Sequence, residues 1–179
     1  MKDFIDYFSE QKNPPPTIYC DMDGVLVDIV GGIGKLIGRP DLTNGNFDKI
    51  IDPMKKEIDA KHPHLFAELP WMSDGKKLWS YISRHKVEIL SAHTTTWQPS
   101  SKQDKIKWIE RNLRPMPHFS NIVLRQQKKE HATSHNGFVR NILIDDWKKN
   151  IVEWEAAGGI GIRHRSADET IAELKKLGL

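Results

Sequence analysis

Cysteine is almost missing from this chain: Cys20 is the only one in 179 residues, which excludes an intrachain disulfide and removes any pointer to an oxidising compartment. No apolar run approaches the ~18 residues a membrane-spanning helix needs, and the opening MKDFIDYFSEQKNPPP carries acidic residues without a long apolar core, so no secretory leader is expected. A cytoplasmic protein with no membrane partner is the reading that follows. Blocks of like charge are also lacking. The net charge is only +3, and the tightest basic group, Arg125 with Lys128 and Lys129, falls short of a nucleic-acid-binding arm. Internal repeats and low-complexity tracts are absent.

Several familiar motifs are begun and not completed. Gly31-Gly-Ile-Gly34 and Gly158-Gly-Ile-Gly161 do not give G-x-G-x-x-G, and Gly34-Lys35 is followed by Leu36 rather than Ser or Thr, so both read as turns or close-packing points. His131 and His135 have a zinc-compatible spacing but lack a third ligand or an intervening glutamate, which leaves a surface pair.

What is present is a set of short apolar runs separated by helical patterns. Six Trp and six Phe supply large buried surfaces, which argues for one compact domain with a small insertion rather than disorder. After Pro14, Pro15 and Pro16 comes the run Thr17 to Cys20, then Val87 to Leu90, Ile122 to Leu124, Asn141 to Ile144 and Gly159 to Ile162, each short enough for a buried strand. Helical spacing is predicted over Gly75 to Ser83 (Leu78, Trp79, Ile82), Lys102 to Leu113 (Ile106, Ile109, Leu113), Lys149 to Ala157, and from a capping box at Ser166 to Glu169 onward. Such alternation predicts an α/β fold: a parallel sheet of about five strands flanked by helices on both faces.

Residues 29–72 break the rhythm, with glycine-rich turns and two helical patterns, one ending near Gly38 and one from Phe47 to Ala60. They read as a small helical cap inserted after the first strand, over a core formed by residues 1–28 and 73–179. Insertions at the carboxyl ends of parallel strands lie over the ligand site. Phe47, Phe66 and Trp71 of the insertion could stack on a base or hold a small core of their own.

Three polar residues, Asp21, Ser91 and Asp145, directly follow predicted strands and would converge on one sheet edge, with Asp23 and Asp146 close behind. Clustered carboxylates repel, so they need a cation or protons to persist, and hard oxygen ligands select magnesium over zinc. In DMDGVLVD, Asp21 to Asp28, the first carboxylate can attack phosphorus and the second can serve as a proton donor on the same edge. Gly24 lets the backbone turn away sharply. A calcium loop is disfavoured because Gly24 directly follows Asp23 and leaves no room for a third ligand position.

DMDGV at Asp21 to Val25, EILSA with Ser91, VLRQQK ending in Lys128, and ILIDD with Asp145 and Asp146 together resemble the four motifs of the haloacid dehalogenase superfamily of phosphatases. Within it the chain resembles the 5′(3′)-deoxyribonucleotidase family and its small bacterial and phage-type members, over most of residues 17–163. The resemblance implies a magnesium-dependent phosphate monoester hydrolase with a Rossmann-like core. Asp21 would be the nucleophile and Asp23 the acid and base. Magnesium would be held by Asp21, the Asp23 backbone carbonyl and Asp145, with Asp146 behind its waters. Ser91, Ala92 and Lys128 would hold the phosphate, Lys129 standing beside Lys128 as the alternative lysine. Implied substrates are (deoxy)nucleoside monophosphates. The alternatives are a 3′-phosphatase on nucleic-acid ends, another small-molecule phosphatase of the superfamily, and a non-catalytic phosphate-binding module. The chain departs from the pattern after Asp146, where the well-known vertebrate members are basic and this sequence has Trp147.

Overall fold

The computed structural model describes residues 14–94, 96–135 and 137–179, so the leader reading and the part of the core before residue 14 lie outside the described residues. Five strands, β1 (Ile18–Cys20), β2 (Val87–Ala92), β3 (Ser120–Val123), β4 (Ile142–Asp145) and β5 (Ile160–Arg163), form one sheet in the order β3-β2-β1-β4-β5. Every pairing is parallel. All five predicted strands are found, most of them displaced by a residue or two at their ends. As a result Ser91 and Asp145, read as residues that follow strands, sit within the last pleats of β2 and β4.

The apolar runs are nearly continuous because both faces are covered. Side chains alternate across a strand, so Ile18, Cys20, Ile89, Ile142 and Ile144 enter one core while Tyr19, Leu90 and Leu143 enter a second on the opposite face. Leu78, Trp79 and Ile82 of α5 (Gly75–Ile82), Trp108 and Ile109 of α6 (Ser101–Asn112) and Leu174 of α8 (Ala167–Lys176) belong to the first core. Ile151 and Trp154 of α7 (Lys148–Ala156) belong to the second. Ser166 caps α8 as its sequence implies, its hydroxyl accepting from Glu169 N at 3.2 Å.

The insertion folds as α1 (Ile29–Leu36), α2 (Phe47–Ile51), a 3₁₀ turn (Asp52–Met54), α3 (Lys55–Lys61) and α4 (Leu65–Glu68). The single helical pattern expected from Phe47 to Ala60 is therefore divided. Pro53 lacks the amide that would continue the α-helical ladder, and the chain tightens into the 3₁₀ turn around it. Asp28 caps α1 through Gly31 N at 2.8 Å. The entry and exit chains of the insertion are tied at its base, Asp28 N donating to Pro70 O (2.9 Å) and Met72 N to Leu26 O (2.8 Å). Ile33, Ile51, Ile58, Leu65 and Leu69 join the same core as Ile18. The two glycine clusters are close-packing points: a side chain at Gly32 would meet Pro70 and Leu69, and one at Gly159 would meet the Trp154 ring. His131 ends a 3₁₀ segment (Arg125–His131) and His135 lies in a turn, so they do not share a helix. No helix among the described residues is long and apolar enough to cross a membrane.

Trp154 is the hinge pin of the second core: fully buried, edge-on to Tyr19 at 5.6 Å, and donating from its indole to Asn141 O at 3.2 Å. Trp154→Ala is expected to cost about 3–5 kcal/mol of stability, read as a shift of the urea midpoint at constant slope; a loss below about 1 kcal/mol would contradict this packing.

Candidate active site

A parallel sheet in this order reverses its winding between β1 and β4, and the crevice beyond the carboxyl ends of those two strands is where such folds take ligands. Cys20 and Ile144 are register partners there, and Asp21 N donates to Ile144 O at 2.9 Å. That pairing brings Asp21 and Asp145, 124 residues apart in the chain, side by side. Ser91 arrives from β2 on the other side of β1.

The structure brings every sequence-predicted residue to this edge except Lys129, which is exposed. Asp21 Oδ1 accepts from Met22 N at 2.8 Å, and its Oδ2 lies 2.9 Å from Lys128 Nζ. Lys128 also donates to Asp145 Oδ2 at 2.8 Å and is itself 3% exposed. Acidic oxygens of Asp21, Asp145 and Asp146 all approach within 4.8 Å of one another, close enough to share one cation. Asp146 lies against the α-carbon of Gly24, where φ is +74° and any side chain would strike the Asp146 carboxylate. Ala92 lines the adjoining cavity.

Two functional neighbours escaped the sequence reading. Lys105 of α6 is 1% exposed, its ammonium 2.6 Å from Asp23 Oδ2 and 3.0 Å from Ser91 Oγ. The expected apolar residues Ile106, Ile109 and Leu113 do face the core, Ile106 only partly buried, but the buried stripe is wider and also takes in Ser101, Asp104, Lys105 and Trp108. Trp108 was the available signal, since a core tryptophan at that position places Lys105 and Asp104 on the inward side. Asn150 of α7 is the second, donating to both Asp145 oxygens at 3.1 and 2.9 Å; nothing in its local sequence marks it.

Four carboxylates thus face two buried ammonium groups, and the carboxyl groups respond differently. Burial pushes Asp21 up, but Lys128 and then Lys105 outweigh it and hold the group below the usual carboxylate range. Asp23 is raised, first by burial and further by the Asp21 charge, against the opposing pull of Lys105. Burial and the Asp21 charge raise Asp145 to about 6. Burial, then Asp21, Asp145 and Asp23, raise Asp146 to about 7. Two carboxyl groups two residues apart are driven in opposite directions, the pattern that separates a nucleophile from an acid.

The edge opens into a cavity of about 760 Å³. Its lining includes Ile29, Val30 and Phe47 of the insertion together with Trp147, Arg163 and Arg165 of the core. Of the three insertion aromatics, only Phe47 reaches it; Phe66 is buried beside Trp97, and Trp71 packs on Trp108 at 4.9 Å.

Sheet order, an insertion after β1 and an acidic edge with a buried lysine define a hydrolase of the haloacid dehalogenase type. Solved structures agree on the fold: L-2-haloacid dehalogenase from Xanthobacter autotrophicus superposes with a TM-score of 0.55 at 12% identity, covering 93% of this chain and 84% of that one. A hydrolase from Streptococcus pneumoniae TIGR4 gives 0.52 at 11% identity over 90% and 96%. A haloacid dehalogenase family enzyme from Bacteroides thetaiotaomicron, solved with magnesium and inorganic phosphate, gives 0.50 at 14% over 86% and 96%. The chain belongs to the family described as 5′ nucleotidase, deoxy (pyrimidine), cytosolic type C, whose pattern it matches over residues 15–170, and it is a phosphatase of the nucleotidase kind. A Vibrio phage KVP40 protein named as a candidate 5′(3′)-deoxyribonucleotidase is 30% identical over 143 residues, 78% of this chain and 71% of the relative.

Gly24 and Gly38 both have positive φ, but a side chain at Gly38 meets nothing within 4 Å. Gly38→Ala is expected to cost only backbone strain, about 1–2 kcal/mol. Gly24→Ala should cost distinctly more because Asp146 must also move. Equal melting-point losses for the two variants would show that Asp146 does not lean on Gly24.

Proposed function

We propose that this nucleotidase hydrolyses (deoxy)nucleoside monophosphates with magnesium, through a phosphoryl group carried transiently on Asp21, with residues 29–72 acting as a cap over the core. The opposed environments of Asp21 and Asp23 are the observation that carries this reading. Asp21 is kept ionised, so it can attack. Asp23 holds its proton more tightly than an ordinary aspartate, so it can give one.

The donor set fits magnesium: acidic oxygens only, three of them within 4.8 Å, with no sulfur or imidazole among them. Asp21 and Asp145 would hold the ion with the backbone carbonyl of Asp23, and Asp146 would orient its waters. When bound, the ion supplies charge neutralisation for the phosphoryl oxygens. A carboxylate oxygen of Asp21 forms the new bond to phosphorus as the ester bond breaks, and Asp23 passes its proton to the departing sugar oxygen. Asp23, now ionised, takes a proton from water as water attacks the acyl phosphate, releasing inorganic phosphate and restoring Asp21. Lys128, the Ser91 hydroxyl and the Ala92 segment bind phosphoryl oxygens and stabilise their growing charge.

The apolar wall of Ile29, Val30 and Phe47 supports a nucleoside as the leaving group. A second reading, hydrolysis of 3′-phosphates at nucleic-acid ends, is supported by Arg125, Arg163 and Arg165 at the same cavity. The wild type is expected to hydrolyse nucleoside monophosphates in magnesium and to stop in excess chelator, while Asp21→Asn loses at least ~1,000-fold in kcat. Preference for phosphorylated oligonucleotides, weakening steeply with salt, would move the assignment to the second reading.

Magnesium affinity should also depend on pH. Asp145 and Asp146, raised to about 6 and about 7, hold protons that the ion must displace. Affinity measured by calorimetry is therefore expected to fall on the order of tenfold as the pH drops from about 8 to about 6. A flat profile would separate these carboxylates from the ion.

A further inference from the structure

We propose that Arg163 and Arg165 form a second anion subsite in the active-site cavity, so that the preferred substrate is a nucleoside carrying a second phosphate beside the one removed. The inference rests on the nucleotidase reading given above and narrows its substrate class.

Three arginines line the cavity, and they differ in what they already hold. Arg125 is matched within the protein: its Nη1 donates to Glu153 Oε2 at 2.9 Å and reaches Asn150 Oδ1 at 3.4 Å. Arg163 makes one bond, from Nε to the backbone oxygen of Asp146 at 3.3 Å, which leaves both its Nη groups without a partner among the described residues. Arg165 stands 4.0 Å from Glu169 Oε2, beyond hydrogen-bond reach, with both side chains exposed. An ion pair of that kind contributes little. Asp28 and Asp48 line the same cavity from the insertion, but Asp28 caps α1, and neither pairs with an arginine among the described residues.

The sheet accounts for where these two side chains go. Alternation along β5 turns Ile162 and His164 into the buried interior, and it leaves Arg163 and, just past the strand, Arg165 on the opposite side. Two residues earlier on that side, α7 lies so close that a side chain at Gly161 would strike Ile151. Arg163 is the register partner of Asp145. Neighbouring strands run about 5 Å apart, so Arg163 starts one strand away from the phosphoryl site.

A planar guanidinium with unmatched N–H groups suits the paired oxygens of a phosphate. In a nucleoside 3′,5′-bisphosphate only the sugar separates the two phosphates. With one of them at Asp21, the other falls within reach of β5, whereas a monophosphate offers these arginines nothing. The cavity of about 760 Å³ has room for both groups and the base. Water adds across the scissile P–O bond, inorganic phosphate leaves, and the product is a nucleoside monophosphate that keeps the second phosphate. A strand end bearing a 3′-phosphate presents the same chemistry, its inner phosphate being a diester.

The test compares esters of one nucleoside at saturating magnesium. In the wild type, kcat/KM is expected to be about tenfold or more higher for the 3′,5′-bisphosphate than for either monophosphate. Arg165→Gln should lower that ratio about threefold or more, and adding Arg163→Gln should bring it to about one. Arg163→Lys, which keeps the charge and loses the fork, should hold only part of it. Lys175→Gln, which removes an equal charge on α8 from a residue that does not line the cavity, should leave the ratio unchanged. General damage to the fold lowers the rates on all these esters together and does not move their ratio. A 3′-phosphorylated dinucleotide forms the second arm. If it outpaces the bisphosphate and loses that lead in the double variant, the subsite serves strand ends; if it keeps the lead, the proposal fails. A wild-type ratio near one, a ratio that survives the double variant, or an equal fall in Lys175→Gln would also overturn it. A wild type inert toward every ester would sink both this inference and the nucleotidase reading. A wild type active on monophosphates with a ratio near one sinks this inference alone.

Discussion

Two buried ammonium groups set against four carboxylates at one sheet edge are the constraint from which the rest of the site follows. Left alone, the carboxylates would drive each other apart or stay protonated. Lys128 lies between Asp21 and Asp145, and Lys105 between Asp23 and Ser91, so each lysine offsets one part of the cluster. The two remaining negative charges have no ammonium partner, and Asp145 and Asp146 are raised to about 6 and about 7 by burial and by the neighbouring carboxylates. A divalent ion would offset those charges, which is why the donor set fits one.

The scaffold makes this arrangement possible through topology rather than through any single strong contact. Parallel pairing of β1 with both β2 and β4 aligns three carboxyl ends, and the chain reversal between β1 and β4 leaves a crevice just there. Gly24 then removes the side chain that would block Asp146. The second half of the insertion grips α6 through backbone carbonyls of Ala67 and Leu69. Insertion and charge cluster are therefore linked through the helix that carries Lys105.

Much of the architecture was legible in the chain because buried parallel strands announce themselves as short apolar runs, and all five do so here. The positions of Asp21, Asp145 and Asp146 at one edge followed from the same rule, since residues at strand ends share an edge when the sheet is parallel. Lys105 and Asn150 were not legible, for different reasons. Lys105 depends on how wide the buried stripe of α6 is: Ile106, Ile109 and Leu113 face the core as their spacing implies, but so does the flank that carries Trp108, and the lysine lies on that flank. Asn150 depends on how the chain leaves β4: Trp147 caps α7, the Trp147 amide bonds Asp145 Oδ1 at 2.9 Å, and only then does the next turn aim Asn150 back. The break at Pro53 is visible as a proline, although the apolar spacing continues across it.

The charge cluster and the cavity wall answer separate questions. In the proposed reaction the acidic oxygens and lysines would meet only the phosphoryl group, which is the same in every monoester, so they could not distinguish one leaving group from another. On that reading the choice would fall to the cavity lining beyond them, where Phe47 comes from the insertion and Trp147 from the loop after β4. Trp147 is half exposed, with the Arg125 guanidinium 5.3 Å and the Lys149 ammonium 5.9 Å from its ring. A flat ring flanked by cations suits a base with its attached phosphate better than a bare sugar phosphate. Replacing a basic residue by tryptophan after the second aspartate of ILIDD therefore does not strip the position of positive charge. Arg125 and Lys149 keep positive charge beside it.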